Sequence, residues 1–163
     1  MHRDRALLRE ATAEDLPALT DALFQAVNWR DSVRLPLQAI LGDPQLSHDV
    51  TGWPQPDDFG VVAVTGAATV GAAWCRAFPA TDPGYGFVAE DVPEVSLGVM
   101  PEWRGCGIGT ALLDDLIAGA RSRHLAAVSL SVEDGNRARN LYRRAGFSVV
   151  GRTGASDVML LRL

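Results

Sequence analysis

The residues best suited to chemistry fall in one short run, Val99-Met100-Pro101-Glu102-Trp103-Arg104-Gly105-Cys106-Gly107-Ile108-Gly109-Thr110. Three glycines in five residues let consecutive backbone N–H groups turn toward one point without Cβ obstruction. At the head of a helix those groups add to the partial positive charge of the helix N-terminus, and the combination binds phosphate. Arg104 can supply a full charge beside it. A Walker loop needs Lys and then Ser or Thr after its last glycine. Here Ile108-Gly109-Thr110 stands there, and all 15 basic residues of the chain are arginine. The lack of lysine also removes Schiff-base and lysine general-base chemistry. A dinucleotide fold wants G-x-G-x-x-G early, in a parallel strand–helix–strand unit. Here the spacing is G-x-G-x-G, late in the chain, after strands that read as antiparallel hairpins. Cys106 gains acidity from a helix N-terminus, but it fills a slot beside phosphate, which argues against a nucleophile. Cys75 reads as core. His2, His48 and His124 are scattered, and their spacing supports no metal site.

Such a loop must be held by a strand before it and a helix after it. Val92 to Val99 reads as that strand, with Val95, Leu97 and Val99 alternating with Glu94, Ser96 and Gly98. Leu112, Leu113, Leu116, Ile117 and Ala120 form one apolar face of the helix that follows. Upstream, Leu7 to Arg9 reads as a strand. Thr12 as N-cap with Asp15 three residues on opens a helix near 13–26. Val33 to Leu41 reads as a second short helix and Gly42 to Asp58 as a loop. Phe59 to Val64 and Thr69 to Phe78 are strands, followed by a loop to Asp91. Downstream come a buried strand, Ala127 to Val132, and a short helix, Asn136 to Arg144, ended by Gly146. Phe147 to Gly151 and Val158 to Leu163 close the chain as strands. The order β-α(α)-β-β-β-α-β-α-β-β predicts one mixed α/β (α+β) domain over 1–163.

The chain's 163 residues can bury a full core and are few for two domains. A composition of 47% hydrophobic and 21% charged residues excludes a disordered chain, and two cysteines make no disulfide framework. No window reaches the ~18 apolar residues of a membrane helix. The start, MHRDRALLRE, lacks the apolar region of a signal peptide. A cytoplasmic location without membrane contact is therefore expected. The pI near 5.1 argues against a nucleic-acid partner.

The pattern Arg104-x-x-Gly107-x-Gly109 after a strand resembles the acyl-CoA pyrophosphate loop of the GNAT acetyltransferase superfamily. Asn136-Arg137-Ala138-Arg139-Asn140-Leu141-Tyr142-Arg143-Arg144-Ala145-Gly146-Phe147 is similar to that superfamily's second signature, a short helix followed by Gly-Phe. The 32 residues from Arg104 to Asn136 leave room for one helix and one strand, as that fold requires. The opening Leu8-Arg9-Glu10-Ala11-Thr12 also fits, so the resemblance covers nearly the whole chain and is strongest over 94–150. It implies a mixed central sheet of about seven strands with flanking helices. In that sheet the 94–99 and 127–132 strands splay, and an acyl thioester lies in the V between them. It implies acetyl-CoA as acyl donor, coenzyme A as product, and no metal. By the same resemblance Arg104, Gly105, Cys106, Gly107, Ile108, Gly109 and Thr110 form the pyrophosphate loop, with the amides of Cys106 through Thr110 as the cradle. The strand edge at Leu97 and Val99 pairs with the pantetheine arm, and Asn136 and Asn140 face it. Arg137, Arg139, Arg143 and Arg144 are expected to include a contact to the adenosine phosphates, with a solvated helix face as the alternative for most of them.

Acetyl transfer needs a neutral amine, although an alkylamine has a pKa near ~10.4. It also needs a proton for a departing thiolate, whose pKa is about 8.5 by analogy with cysteine. The resemblance implies Tyr142 as the proton donor and Glu94 as the base, acting directly or through a water held by Ser96. A packing tyrosine and a solvated strand-end carboxylate are the alternatives. It also places acceptor contacts between the first two strands and in the loop before the central strand. Those segments carry Asn28, Trp29, Arg30, His48, Trp53, Tyr85 and Phe87, with Asp57, Asp58, Glu90 and Asp91. Trp29, Trp53, Tyr85 and Phe87, among carboxylates, suit a cationic amine; alternatively Trp29 and Trp53 pack a loop on the core. The resulting expectation is transfer to the primary amine of a small molecule or peptide N-terminus in a ternary complex, without an acyl-enzyme. A non-catalytic acyl-CoA-binding module of the same fold is the alternative. The oligomeric state is left open; dimers through the C-terminal strands are common in similar proteins, and Val158 to Leu163 is the segment that would supply the edge of such a homodimer.

Overall fold

The structure is a computed structural model that describes residues 5–163. The chain opens with strand β1 (Leu7–Glu10) and a 3₁₀ turn (Ala13–Asp15) that leads into helix α1 (Leu16–Val27). The capping box expected there is present. The Thr12 N–H donates to Asp15 Oδ2 at 2.7 Å, and the Glu14 N–H donates to Thr12 Oγ1 at 3.3 Å. Arg9 grips the same carboxylate with two bonds, at 2.7 and 2.8 Å, which tie β1 to the head of α1 and hold the Asp15 carboxyl below its usual range.

Two short helices follow, α2 (Leu37–Gly42) and α3 (Pro44–Ser47). The first is shorter at its N-terminus than expected because Pro36 takes the N-cap position in an extended conformation. The second lies where a loop was expected. Asp43 caps it, accepting from the Gln45 N–H at 3.0 Å, with Pro44 in the first turn. Proline at that position is favoured because its missing N–H would be unpaired anyway.

Strands β2 (Phe59–Thr65), β3 (Ala68–Arg76) and β4 (Glu94–Val99) form an antiparallel meander. Helix α4 (Ile108–Ser122), β5 (Ala127–Glu133), α5 (Ala138–Ala145), β6 (Ser148–Thr153) and β7 (Ser156–Arg162) complete the chain. The seven strands make one mixed sheet in the order β1-β2-β3-β4-β5-β7-β6. Its one parallel junction is β4 with β5. The C-terminal strand therefore does not supply an edge. β7 lies between β5 and β6, and the edge is β6, with Val149 and Val150 exposed. The last hairpin turns back into the sheet because β7 carries buried Val158, Met159 and Leu161, whereas every residue of β6 is exposed.

One core fills the space between the sheet and α4, on Leu112, Leu113, Leu116, Ile117 and Ala120, the face expected from sequence. The other lies under α1 and the 40–53 segment, on Leu19, Ala22, Leu23, Ile40, Trp53 and Trp74. Alternation along β4 sends Val95, Leu97 and Val99 to the α4 side and Glu94, Ser96 and Gly98 to the α1 side. At Gly98 a Cβ would run into the Ala22 carbonyl, so only glycine lets α1 rest on the β4 backbone. Among the described residues no helix is long and apolar enough to cross a membrane.

Candidate active site

The sheet opens at the β4–β5 junction. β4 shares six registered pairs with β3, and β5 shares seven with β7. Between β4 and β5 there is a single pair, Glu94 with Ser129, closed by the Ser129 N–H donating to Pro93 O at 3.0 Å. Beyond it the strands run on to Val99 and Glu133 without pairing. The closed end is wedged by the loop before β4. A Cβ on Gly86 would sit 2.6 Å from the Leu130 carbonyl carbon, and Gly86 O accepts from Ser129 Oγ at 2.7 Å.

The wedge also shapes the Glu94 site. The Glu94 carboxylate is buried and accepts from the Gly86 N–H at 2.9 Å and the Gly84 N–H at 3.1 Å. Burial pushes its pKa up to about 7 against the opposing pull of those two amides. A carboxyl poised near neutrality can take a proton and give it up again. Ser96, partly buried, follows on the same face, beside Trp74 of β3.

The glycine loop lies past the other end of β4. Gly107 is the N-cap of α4 at φ +84°, where an L side chain would be strained, and no side chain caps the helix. The first N–H to find a helical carbonyl is that of Ala111, to Gly107 O at 3.1 Å. The amides of Ile108, Gly109 and Thr110 precede it. Gly105 and Gly107 face open space. Gly109 has a different reason, since its Cβ position lies 3.4 Å from Leu141 of α5. An uncapped helix start beside an unpaired strand edge fits a phosphate-bearing ligand with an extended arm. Arg104 is directed toward α1: Nε donates to Val99 O at 3.1 Å and Nη2 to Gln25 Oε1 at 3.0 Å, fixing the loop to both elements. Cys106 is exposed in the loop, and its thiol lies 3.6 Å from Arg104 O.

Tyr142 on α5 is buried, edge-on to Phe147 with ring centroids 5.9 Å apart, and burial pushes its phenol up to about 12. Asn136 Oδ1 accepts from the N–H of Ala138, the first residue of α5, at 3.0 Å, while Asn140 and Arg143 are exposed. Arg139 is taken up by Asp157 at 2.6 Å.

The residues expected to contact an acceptor divide in two. Trp53 is a core residue: 7% exposed, with its indole N–H donating to Thr12 O at 3.0 Å. Asn28 folds its own loop, donating to Leu35 O at 2.8 Å and accepting from the Arg34 N–H at 2.7 Å. Asp58 pairs with buried Arg76 at 2.6 Å. These three expected acceptor-side residues therefore serve the fold. Trp29 and Phe87 are partly buried and Tyr85 is exposed. The Tyr85 hydroxyl donates to Gln45 Oε1 at 3.2 Å, and Tyr85 lies in the field of Asp43, Asp49 and Glu133. Two features had no local signal in the sequence. Arg34, from the loop after α1, pairs with Glu133 at the end of β5 with two bonds, at 2.7 and 3.0 Å, and joins that loop to the far wall of the opening. The Asp49 carboxyl is pushed up to about 7, chiefly by burial and then by the Glu94 charge.

A family model described as the acetyltransferase (GNAT) family matches residues 25–147. This chain is a member of the GNAT acetyltransferase family. Mycothiol acetyltransferase from Cellulomonas flavigena is 31% identical to it over 147 residues, which are 88% of this chain and 41% of that protein. The chain spans less than half the length of the curated relatives it matches. The solved ribosomal-protein-alanine N-acetyltransferase from Brucella melitensis is 27% identical, with a TM-score of 0.66 over 96% of this chain and 98% of that one. PaiA N-acetyltransferase from Thermoplasma acidophilum, solved in complex with coenzyme A, shares the fold at 17% identity and a TM-score of 0.72, over 98% of this chain and 99% of that one. The GNAT fold accounts for the seven-strand mixed sheet and its flanking helices.

Proposed function

We propose that this GNAT protein transfers an acetyl group from acetyl-CoA to a primary amine by direct attack, without an acyl-enzyme. The observation that carries the reading is the opening between β4 and β5, with an uncapped, glycine-lined helix start past one end and a buried carboxylate at the other. Acetyl-CoA supplies the acyl group as a thioester. The amides of Ile108, Gly109 and Thr110 hold its diphosphate, and the unpaired edge of β4 at Leu97 and Val99 aligns its arm. Glu94 takes a proton from the arriving ammonium, directly or through a water on Ser96, so that the nitrogen lone pair can form the new C–N bond. Tyr142 keeps its proton until the C–S bond breaks and then gives it to the sulfur, and the proton that the nitrogen sheds as the new C–N bond becomes an amide restores the phenol. A phenol near 12 is a weak acid beside a thiol of about 8.5 in water. The burial that raises the phenol also raises a thiolate formed next to it, which narrows the mismatch.

Among the relatives one acetyltransferase is named for mycothiol and another for a ribosomal-protein alanine. Trp29, Tyr85 and Phe87, with Asp43, Asp49 and Glu133 nearby, favour an acceptor that arrives as a cation. The test is thiol release from acetyl-CoA over a panel of amines and N-terminal peptides, with Glu94→Gln and Tyr142→Phe alongside. Turnover above the buffer rate that both substitutions depress supports the proposal. Coenzyme A binding without turnover on any amine would instead mark a non-catalytic binding module.

A further inference from the structure

We propose that the Arg34–Glu133 ion pair is a specificity-determining clasp that limits the acceptor to a slender, unbranched amine. This rests on the reading of the β4–β5 opening as the place of acetyl transfer, and it names what bounds the acceptor's way in.

Glu94 and Ser129 point to the same face of the sheet, because the 84–86 loop bonds to both. Gly86 O accepts from Ser129 Oγ, and the Gly84 and Gly86 N–H groups donate to the Glu94 carboxylate. Along β5, Val128, Leu130 and Val132 pack toward α4, so Ser129, Ser131 and Glu133 alternate onto the α1 face. Gly98 of β4 meets α1 on that face, and Ser96 shares it. Glu94 pairs with Ser129, and past that pair the two strands part. On the α1 face the opening therefore starts at the Gly86 wedge and runs along β5 past Ser131 to Glu133, about 13 Å at ~3.3 Å per residue.

Its far end is bridged from the other wall. α1 rests on β4 where Gly98 meets the Ala22 carbonyl. Asn28, the C-cap of α1, folds the next segment back onto the helix. Its Nδ2 donates to Phe24 O at 3.1 Å and to Leu35 O at 2.8 Å, and its Oδ1 accepts from the N–H groups of Arg34 at 2.7 Å and Leu35 at 2.9 Å. The Arg34 backbone is thus fixed to the helix that sits on β4, and its guanidinium reaches β5 through the two bonds to Glu133. The same loop meets the turn after β5, where a Cβ on Gly135 would lie 3.6 Å from the Trp29 ring. Only the Arg34–Glu133 link of this bridge is a charged side-chain pair. Arg34 is 45% exposed and Glu133 29%, so water and salt reach the pair, and it can part while the Asn28 bonds hold. With a thioester in the opening, an acceptor must enter between the Gly86 wedge and the clasp, beside Ser96 and Ser131. A single chain passes end-on, whereas a ring next to the aminomethyl group meets the clasp.

Ethylamine and cyclohexylmethylamine test this. Both arrive as alkylammonium ions of the same charge, so the Glu133 carboxylate freed in Arg34→Ala acts on both alike and their ratio reads width. Arg34→Ala is expected to raise kcat/KM for cyclohexylmethylamine relative to ethylamine by about tenfold. Arg34→Lys keeps an ion pair across the opening and is expected to stay within about threefold of the wild-type ratio, a rescue that a general loosening of the loop would not show. Calorimetric titration of each amine into the coenzyme A complex gives the same comparison without turnover. A ratio that Arg34→Ala leaves unchanged, a rise shared equally by Arg34→Lys, or binding of neither amine overturns the clasp. If the amines bind with the expected ratios and neither is acetylated, the clasp stands and the failure falls on the acetyl-transfer reading.

Discussion

Glu94→Gln should change how the stability of this protein depends on pH. Burial lifts the Glu94 carboxyl from 4.5 to about 7. Between those values the folded protein holds a proton that the unfolded chain releases, so stability falls as pH rises through the window. Above about 7 both states are ionised and the full cost is present, about 3 kcal/mol at 1.36 kcal/mol per unit. Glutamine cannot ionise and does not carry this cost. Its amide nitrogen faces one of the two N–H donors from Gly84 and Gly86, a mismatch worth about 1–3 kcal/mol at every pH. Loss of the Glu94 charge also lets Asp49 ionise more readily, which acts in the same direction. Urea melts of both proteins between about pH 4 and pH 8, with m-values checked for equality, should show the difference moving by about 3 kcal/mol in favour of the variant as pH rises. A difference constant within about 0.5 kcal/mol would mean that Glu94 is solvated and ordinary.

The same titration governs rate: acetyl transfer by the wild type should climb with pH through about 7 as Glu94 loses its proton, and that limb should be absent from Glu94→Gln. Tyr142→Phe should lower kcat by roughly a hundredfold with little change in KM, while thermal melts stay within about 1 kcal/mol because the Phe147 contact is kept. Gly98→Ala should lower Tm, at a cost of about 1–3 kcal/mol or more, because its methyl meets the Ala22 carbonyl; an unchanged Tm would show that α1 does not rest on β4 as described.

Local signals carried most of this fold. The alternation in β4, the apolar face of α4 and the Thr12–Asp15 cap each arise within a few residues and were legible. Asp43-Pro44 was a helix-start signal too, although the many polar residues around it read as loop. What could not be read were choices made between distant segments. The insertion of β7 between β5 and β6 depends on which hairpin strand has buried residues to offer β5. Trp53 reads equally well as a surface aromatic or a core one until Thr12 accepts its indole N–H. Asp49 stands in a polar loop with nothing in its neighbours to mark it, and acquires its character only when Trp74 and Arg76 hold that loop down on β3. The Arg34–Glu133 clasp joins residues 99 positions apart and leaves no trace in spacing.

The account stands on the head of α4 as an anion cradle at the mouth of a split sheet. A crystal structure with coenzyme A bound tests this most directly. Diphosphate oxygens within about 3 Å of the backbone nitrogens of Ile108, Gly109 and Thr110, with the arm lying along β4 toward Glu94, are the predicted result. Coenzyme A bound with its diphosphate away from those nitrogens, or with β4 and β5 zipped together past Glu94 and Ser129, would contradict it.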